Sequence, residues 1–159
     1  MIEIRGMSAA DWPQVEAIYA EGIATRQATF ETETPTWAEF DKDRLPGHRL
    51  VAVEGGRVVG WAALSPTSRR ACYSGVVEHS VYVAAESRGR GIGRALMDAL
   101  VRSADEGGIW TIQTSIFPEN EASVALHERL GFRVVGRRER VAELEGVWRD
   151  TLLLERRAR

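Results

Sequence analysis

A single cysteine, Cys72, in 159 residues excludes a disulfide framework and any cysteine-based zinc site. The three histidines lie far apart without ligand spacing, so no metal centre is expected. Charge of one sign is missing as well. With 21 basic and 23 acidic residues the net charge is −2, which argues against a dedicated nucleic-acid binder. The basic tail Glu155–Arg159 is too short to change that. No apolar run approaches the ~18 residues of a membrane span, and no charged-then-apolar leader opens the chain. These absences predict a soluble, cytoplasmic protein with neither nucleic-acid nor membrane partner. No repeat, low-complexity tract or linker divides the sequence, so residues 1–159 are read as one domain with a two-layer core.

What is present centres on Val76 to Leu100. Val76–Val83 is rich in β-branched and aromatic residues and predicts a buried strand. From Gly91 to about Glu106, apolar residues at Ile92, Ala95, Leu96, Ala99 and Leu100 mark one face of an amphipathic helix. Between them Arg88-Gly89-Arg90-Gly91-Ile92-Gly93 alternates three glycines, which let the backbone turn tightly with its N–H groups outward. Free amides, the positive end of a helix dipole and arginines then coincide, which suits a phosphate. The loop lacks the Gly-Lys-Ser/Thr ending of a nucleoside-triphosphate loop. Leu96 stands where a dinucleotide fingerprint needs its third glycine.

Elsewhere, Met1–Arg5 alternates like a short strand, and Asp11 before Pro13 starts a helix to about Ile23 that buries Val15, Ile18 and Tyr19. Thr25–Pro35 is too broken for a regular element. Thr36-Trp37-Ala38-Glu39 is a capping box opening a short helix to about Leu45. Arg49–Glu54, Gly55-Gly56 and Arg57–Leu64 form a hairpin, and Ser65–Ser74 a loop. Ile109–Ile116 is a further strand, reached from the central one by a parallel crossover. Asn120 caps a helix ending at Leu130, with Gly131 just beyond it. Phe132–Gly136 begins a strand and Val147–Leu154 pairs back. The fold class expected is α/β (α+β): a mixed, mostly antiparallel splayed sheet of about seven strands with about four helices, open at the glycine loop.

Several residues could do chemistry there. Backbone N–H groups at Val81, Tyr82 and Val83 could face a substrate carbonyl if the strand lacks a neighbour. Glu78 sits inside an apolar strand, where an ionisable residue is costly unless it meets a cleft or a partner. Partly buried, it could act as a general base; alternatively it points to solvent or pairs with His79. His79 would project to the opposite sheet face and is read as structural. Asn120, Ser123 and His127 share one helix face, where His127 could protonate or orient a leaving group.

The pattern Arg88-Gly89-Arg90-Gly91-Ile92-Gly93, after a strand and opening a helix, resembles the pyrophosphate loop of the GNAT superfamily of acetyl-CoA-dependent N-acetyltransferases. Asn120, Ser123, Leu126-His127 and Gly131-Phe132 resemble a second GNAT motif, with histidine where tyrosine is usual. Val77–Val83, Phe30-Glu31-Thr32-Glu33 with Pro35, Leu126-His127-Glu128 and Gly146–Asp150 are similar to the phosphinothricin acetyltransferase group within it. The resemblance runs from about Glu3 to Arg156. It implies acetyl-CoA as co-substrate, no metal, a small-molecule amine acceptor and a homodimer with the late strands near the contact.

By that resemblance Glu78 is the general base and His127 stands in for the usual general acid. Arg88, Gly89, Arg90, Gly91, Ile92, Gly93 and Arg94, with Val81–Val83, Asn120 and Ser123, contact acetyl-CoA. Phe30, Glu31, Arg70 and Tyr73 belong to the acceptor side, where an arginine could hold a carboxylate. The histidines that flank the late Gly-x-Trp-x-Asp segment in herbicide-resistance members are absent; Glu145 and Arg149 stand nearby, and Trp148 is read as a core or interface anchor. The activity implied is direct acetyl transfer to the α-amino group of a phosphinothricin- or methionine sulfoximine-type compound. A polyamine, an aminoglycoside or a protein N-terminus as acceptor, or a non-catalytic CoA-binding module, are the alternatives.

Overall fold

The computed structural model describes residues 1–159. Seven strands and four α-helices follow one another as β1 (Ile2–Gly6), α1 (Trp12–Ala24), α2 (Trp37–Asp43), β2 (Arg49–Glu54), β3 (Arg57–Pro66), β4 (Val76–Val83), α3 (Ile92–Glu106), β5 (Thr111–Ile116), α4 (Glu121–Arg129), β6 (Arg133–Leu144) and β7 (Val147–Arg157). They form one sheet in the order β1-β2-β3-β4-β5-β7-β6. Every neighbouring pair is antiparallel except β4–β5, the pair joined by the α3 crossover.

Each element forms for a local reason. The Thr36 side chain accepts from the Glu39 N–H while the Glu39 carboxylate accepts from the Thr36 N–H, closing the predicted capping box of α2. Asn120 Oδ1 accepts from the Ser123 N–H at 3.3 Å and starts α4. Gly131, at φ 91°, ends it in the left-handed region. β5 begins two residues later than expected because the Ile109 N–H is drawn back to Ala104 O at the end of α3. β6 and β7 are longer than expected, joined by Glu145 and Gly146, both at positive φ, as a two-residue hairpin turn requires.

The sheet is covered on both faces. On one, Leu96, Met97 and Leu100 of α3 pack onto Leu64, Val77, Ile112 and Leu154. On the other, Val15, Ile18 and Tyr19 of α1 and Phe40 of α2 pack onto Val51, Trp61 and Ala63. Burying such side chains is the main favourable term, about 1.5–3 kcal/mol for each large one. Trp148, expected as a core or interface anchor, is not in this core: it is 51% exposed, with the Arg140 guanidinium over its ring. No helix is long and apolar enough to cross a membrane.

Candidate active site

The opening follows from register. β4 pairs with β5 only through Val76–Thr111, Val77–Ile112 and Glu78–Gln113. Beyond Glu78 the two strands part, while β4 stays paired with β3 as far as Val83. The Ala84 N–H bonds to Val59 O. By antiparallel alternation Tyr82, Ser80 and Glu78 then turn their main-chain groups to β3, and His79, Val81 and Val83 turn theirs into the gap. Two of the three residues expected to offer free amides therefore do so. Tyr82 departs from the expectation: its main chain belongs to the ladder, and its ring packs on Tyr19 and Trp61, each with centroids at 5.0 Å.

On one side of the gap lies a cleft of about 850 Å³, walled by β4, the glycine turn and α4. Gly89 and Gly91 take φ of 78° and 79°, a backbone that a side chain would strain. The first hydrogen bond of α3 runs from the Ala95 N–H to Gly91 O, so the amides of Ile92, Gly93 and Arg94 have no partner within the helix. Arg88 and Arg94 line this cleft. Arg90 does not: its guanidinium forms a fork with the Glu54 carboxylate at 2.8 and 2.5 Å, which turns it away from the turn it belongs to. A row of unpaired amides at a helix start, continued by the main chain of Val83 and Val81, fits a ligand with a diphosphate at one end and amide groups along its length.

On the other side lies a cavity of about 490 Å³, reached by Phe30, Glu31, Glu78, Ser115, Phe117, Arg138 and Thr151 among others. Phe30 meets Phe117 edge-on at 5.1 Å. Glu78 is exposed here, so the partial burial expected for it is not found. Neither Arg70 nor Tyr73 reaches either cleft. They stack on one another at 5.6 Å in an exposed turn. That turn precedes β4, and β4 and β5 separate at the far end of β4, so nearness in sequence to β4 does not bring them to the opening.

Asn120, Ser123 and His127 line both clefts. His127 is buried and held at both nitrogens. Nδ1 lies 2.6 Å from Ser123 O, and Nε2 lies 2.9 Å from His79 Nε2. A carbonyl can only accept, so the His127 proton is on Nδ1; its Nε2 then accepts from the Nε2–H of His79. The rings stack at 10° with Phe132 edge-on to both. Burial lowers the His79 pKa to about 3, as does repulsion between the two rings when both are protonated, and burial also lowers that of His127. The pair is a neutral wall between the clefts. The expected donation from His127 to a leaving group conflicts with this arrangement, since neither of its nitrogens is free.

The irregular segment after α1 supplies residues that local sequence did not flag, Gln27, Ala28 and Thr29, to the cavity wall. Ser115, Arg138 and Thr151 were missed too. The only hint for Thr151 was a lone polar residue before the apolar run Leu152–Leu154.

The acetyltransferase (GNAT) family profile matches residues 12–132. The chain belongs to that family and is an acetyl-CoA-dependent acetyltransferase. It is 33% identical over 159 residues to the L-methionine sulfoximine/L-methionine sulfone acetyltransferase of Pseudomonas aeruginosa, covering 96% of this chain and 92% of that one. Among solved structures, the phosphinothricin acetyltransferase of Sinorhizobium meliloti in complex with AcCoA superposes with a TM-score of 0.89 at 32% identity, covering 99% of this chain and 88% of that one. The ribosomal-protein-alanine N-acetyltransferase of Brucella melitensis superposes at 0.88 with 32% identity, over 98% and 99% of the two chains.

Proposed function

We propose that the protein acetylates the α-amino group of a small amino-acid analogue of the phosphinothricin or methionine sulfoximine type by direct attack, with Glu78 as general base. Bound acetyl-CoA supplies the thioester. The amides of Ile92, Gly93 and Arg94 hold its diphosphate, with Arg88 and Arg94 beside them. The N–H groups of Val81 and Val83 stand where the thioester carbonyl needs a donor, a contact worth roughly 3 kcal/mol as charge develops there. Glu78 takes a proton of the incoming amine as the C–N bond forms and the C–S bond breaks, and CoA leaves as the thiolate and takes its proton from solvent. His127, fixed by Ser123 O and His79, shapes the passage between the clefts and carries no proton across. Cys72 is exposed and lines neither cleft, so no thiol of this chain stands ready to carry the acetyl group.

The observation that carries this reading is the joining of the two clefts at β4, with Glu78 on the acceptor side and Val81 between them. Glu78→Gln is expected to lower kcat by about 10²–10⁴ while acetyl-CoA affinity, followed by calorimetry, is unchanged. An unaltered kcat removes Glu78 from the role. The resemblance to a ribosomal-protein-alanine acetyltransferase favours a protein N-terminus as the second reading; thiol release with amino-acid analogues against peptides separates the two. As one cytoplasmic domain, the protein is proposed to pair with a second copy through β6 and β7, where Val134, Val135, Val141, Val147 and Trp148 are exposed.

A further inference from the structure

Three residues of the acceptor cavity come from the far half of the sheet and share one of its faces. Glu78 stands opposite Gln113, so by the two-residue strand period Ser115 projects to the same side. Ser115 stands opposite Leu153 on β7, which puts Thr151 on that side as well, and Thr151 stands opposite Arg138 on β6. Glu78, Ser115, Thr151 and Arg138 thus follow one another across four strands. The Arg138 side chain reaches back over Thr151, and its Nη2 donates to Ser115 Oγ at 2.8 Å. Its guanidinium is thereby brought to the strand next to the one that carries Glu78.

Arg138 differs from most arginines of the last hairpin; Arg140, the other one without a carboxylate partner, lies over the Trp148 ring and does not line the cavity. Arg133 is paired with Glu155, Arg137 with Asp150 and Arg149 with Glu119. Arg138 has a hydroxyl partner and no carboxylate, and it is the only cation on the cavity wall. A second observation marks the same spot. Thr151 is 2% exposed and lines the cavity, yet its Oγ1 has no hydrogen-bond partner. Native proteins rarely leave such a group unsatisfied without a ligand or water to meet it. A fork of donors beside an unfilled hydroxyl is suited to a planar or tetrahedral oxyanion.

We infer that Arg138, braced by Ser115 and backed by Thr151, grips the carboxylate of the acceptor while Glu78 faces its amine. This rests on the amino-acid reading above and sharpens it: the enzyme selects zwitterions, recognising both charges from one sheet face. Arg138 takes the part that its place in sequence had suggested for Arg70. Phe30 and Phe117, on the remaining wall, meet the acceptor's side chain.

The test compares L-methionine sulfone with its carboxamide as acceptors for the wild type, Arg138→Gln and Arg138→Lys. The wild type is expected to prefer the acid. Arg138→Gln is expected to raise KM for the acid on the order of 30–100-fold, the loss of a charge-assisted pair, with kcat changed little and the carboxamide rate unaffected. Arg138→Lys restores part of the preference. If the wild type prefers the acid and Arg138→Gln keeps that preference, the grip is overturned and the amino-acid reading stands. If the wild type prefers the carboxamide, both fall. An equal loss for both acceptors in Arg138→Gln shows a structural role and also overturns the grip.

Discussion

The two clefts that meet at β4 are made of different materials. On the assignment proposed above, the cofactor side is built from main chain: unpaired amides at the start of α3, two left-handed glycines and the strand edge of Val81 and Val83. The acceptor side is built from side chains that arrive on β4, β5, β6, β7 and the segment after α1. A backbone site is insensitive to most substitutions and recognises what all acyl-CoA molecules share. A side-chain site changes with each residue and, in the proposed reading, sets which amine is taken. One fold can therefore keep its donor and vary its acceptor.

Gly91→Val attacks the main-chain half and is expected to have the largest effect. At φ 79° a β-branched residue costs about 1–2 kcal/mol and shifts the turn, so acetyl-CoA affinity should fall roughly 10–100-fold by calorimetry. The KM of the acceptor should stay within a factor of about two. Matching losses on both sides would mean the halves are not separate.

The histidine wall between them gives a pH signature of intermediate size. With folded pKa values below the ordinary 6.5, the unfolded chain binds protons first. The stability this confers is complete above about pH 6.5 and is lost as pH falls toward 3. Urea unfolding should show a loss of about 2 kcal/mol between pH 7.5 and 5 from His79. His79→Phe keeps a ring in place and should remove at least about half of the pH-dependent loss. A slope identical to the wild type would show that this pair does not carry it.

The smallest effect sharpens the comparison from outside. Arg94 lines the larger cleft, whereas its partner Asp98, 3.6 Å away and one turn on, is half-buried and lines neither cleft. Asp98→Ala should change stability by no more than about 0.5 kcal/mol, as is usual for such pairs, and leave acetyl-CoA affinity unaltered. A clear gain in affinity would mean that Asp98 restrains the Arg94 guanidinium.

The same division explains what could be read from sequence. The glycine turn, the capped helices and the strand bearing Glu78 are local features, and each stands where the residues predict. Arg90 shows the limit even there. Its place in the motif pointed to phosphate, but Glu54, thirty-six positions away, is close enough in the fold to capture it. Arg70 failed for a related reason, since distance along the chain does not reveal which end of β4 opens. Arg138 and Thr151 had no local signal. Their meeting with Ser115 depends on two strand registers at once, and a shift of one residue in either would turn a side chain to the other face.

Glu78 occupies the last rung before β4 and β5 separate. Its main-chain groups bond to β3, opposite Ser65, and it stands opposite Gln113 on β5, whereas Ser80 to Val83 have a neighbouring strand on one flank only. Its side chain stands in solvent. In the mechanism proposed above the base must be aimed accurately and still hand its proton to water, and the fork in the sheet provides both conditions at one residue.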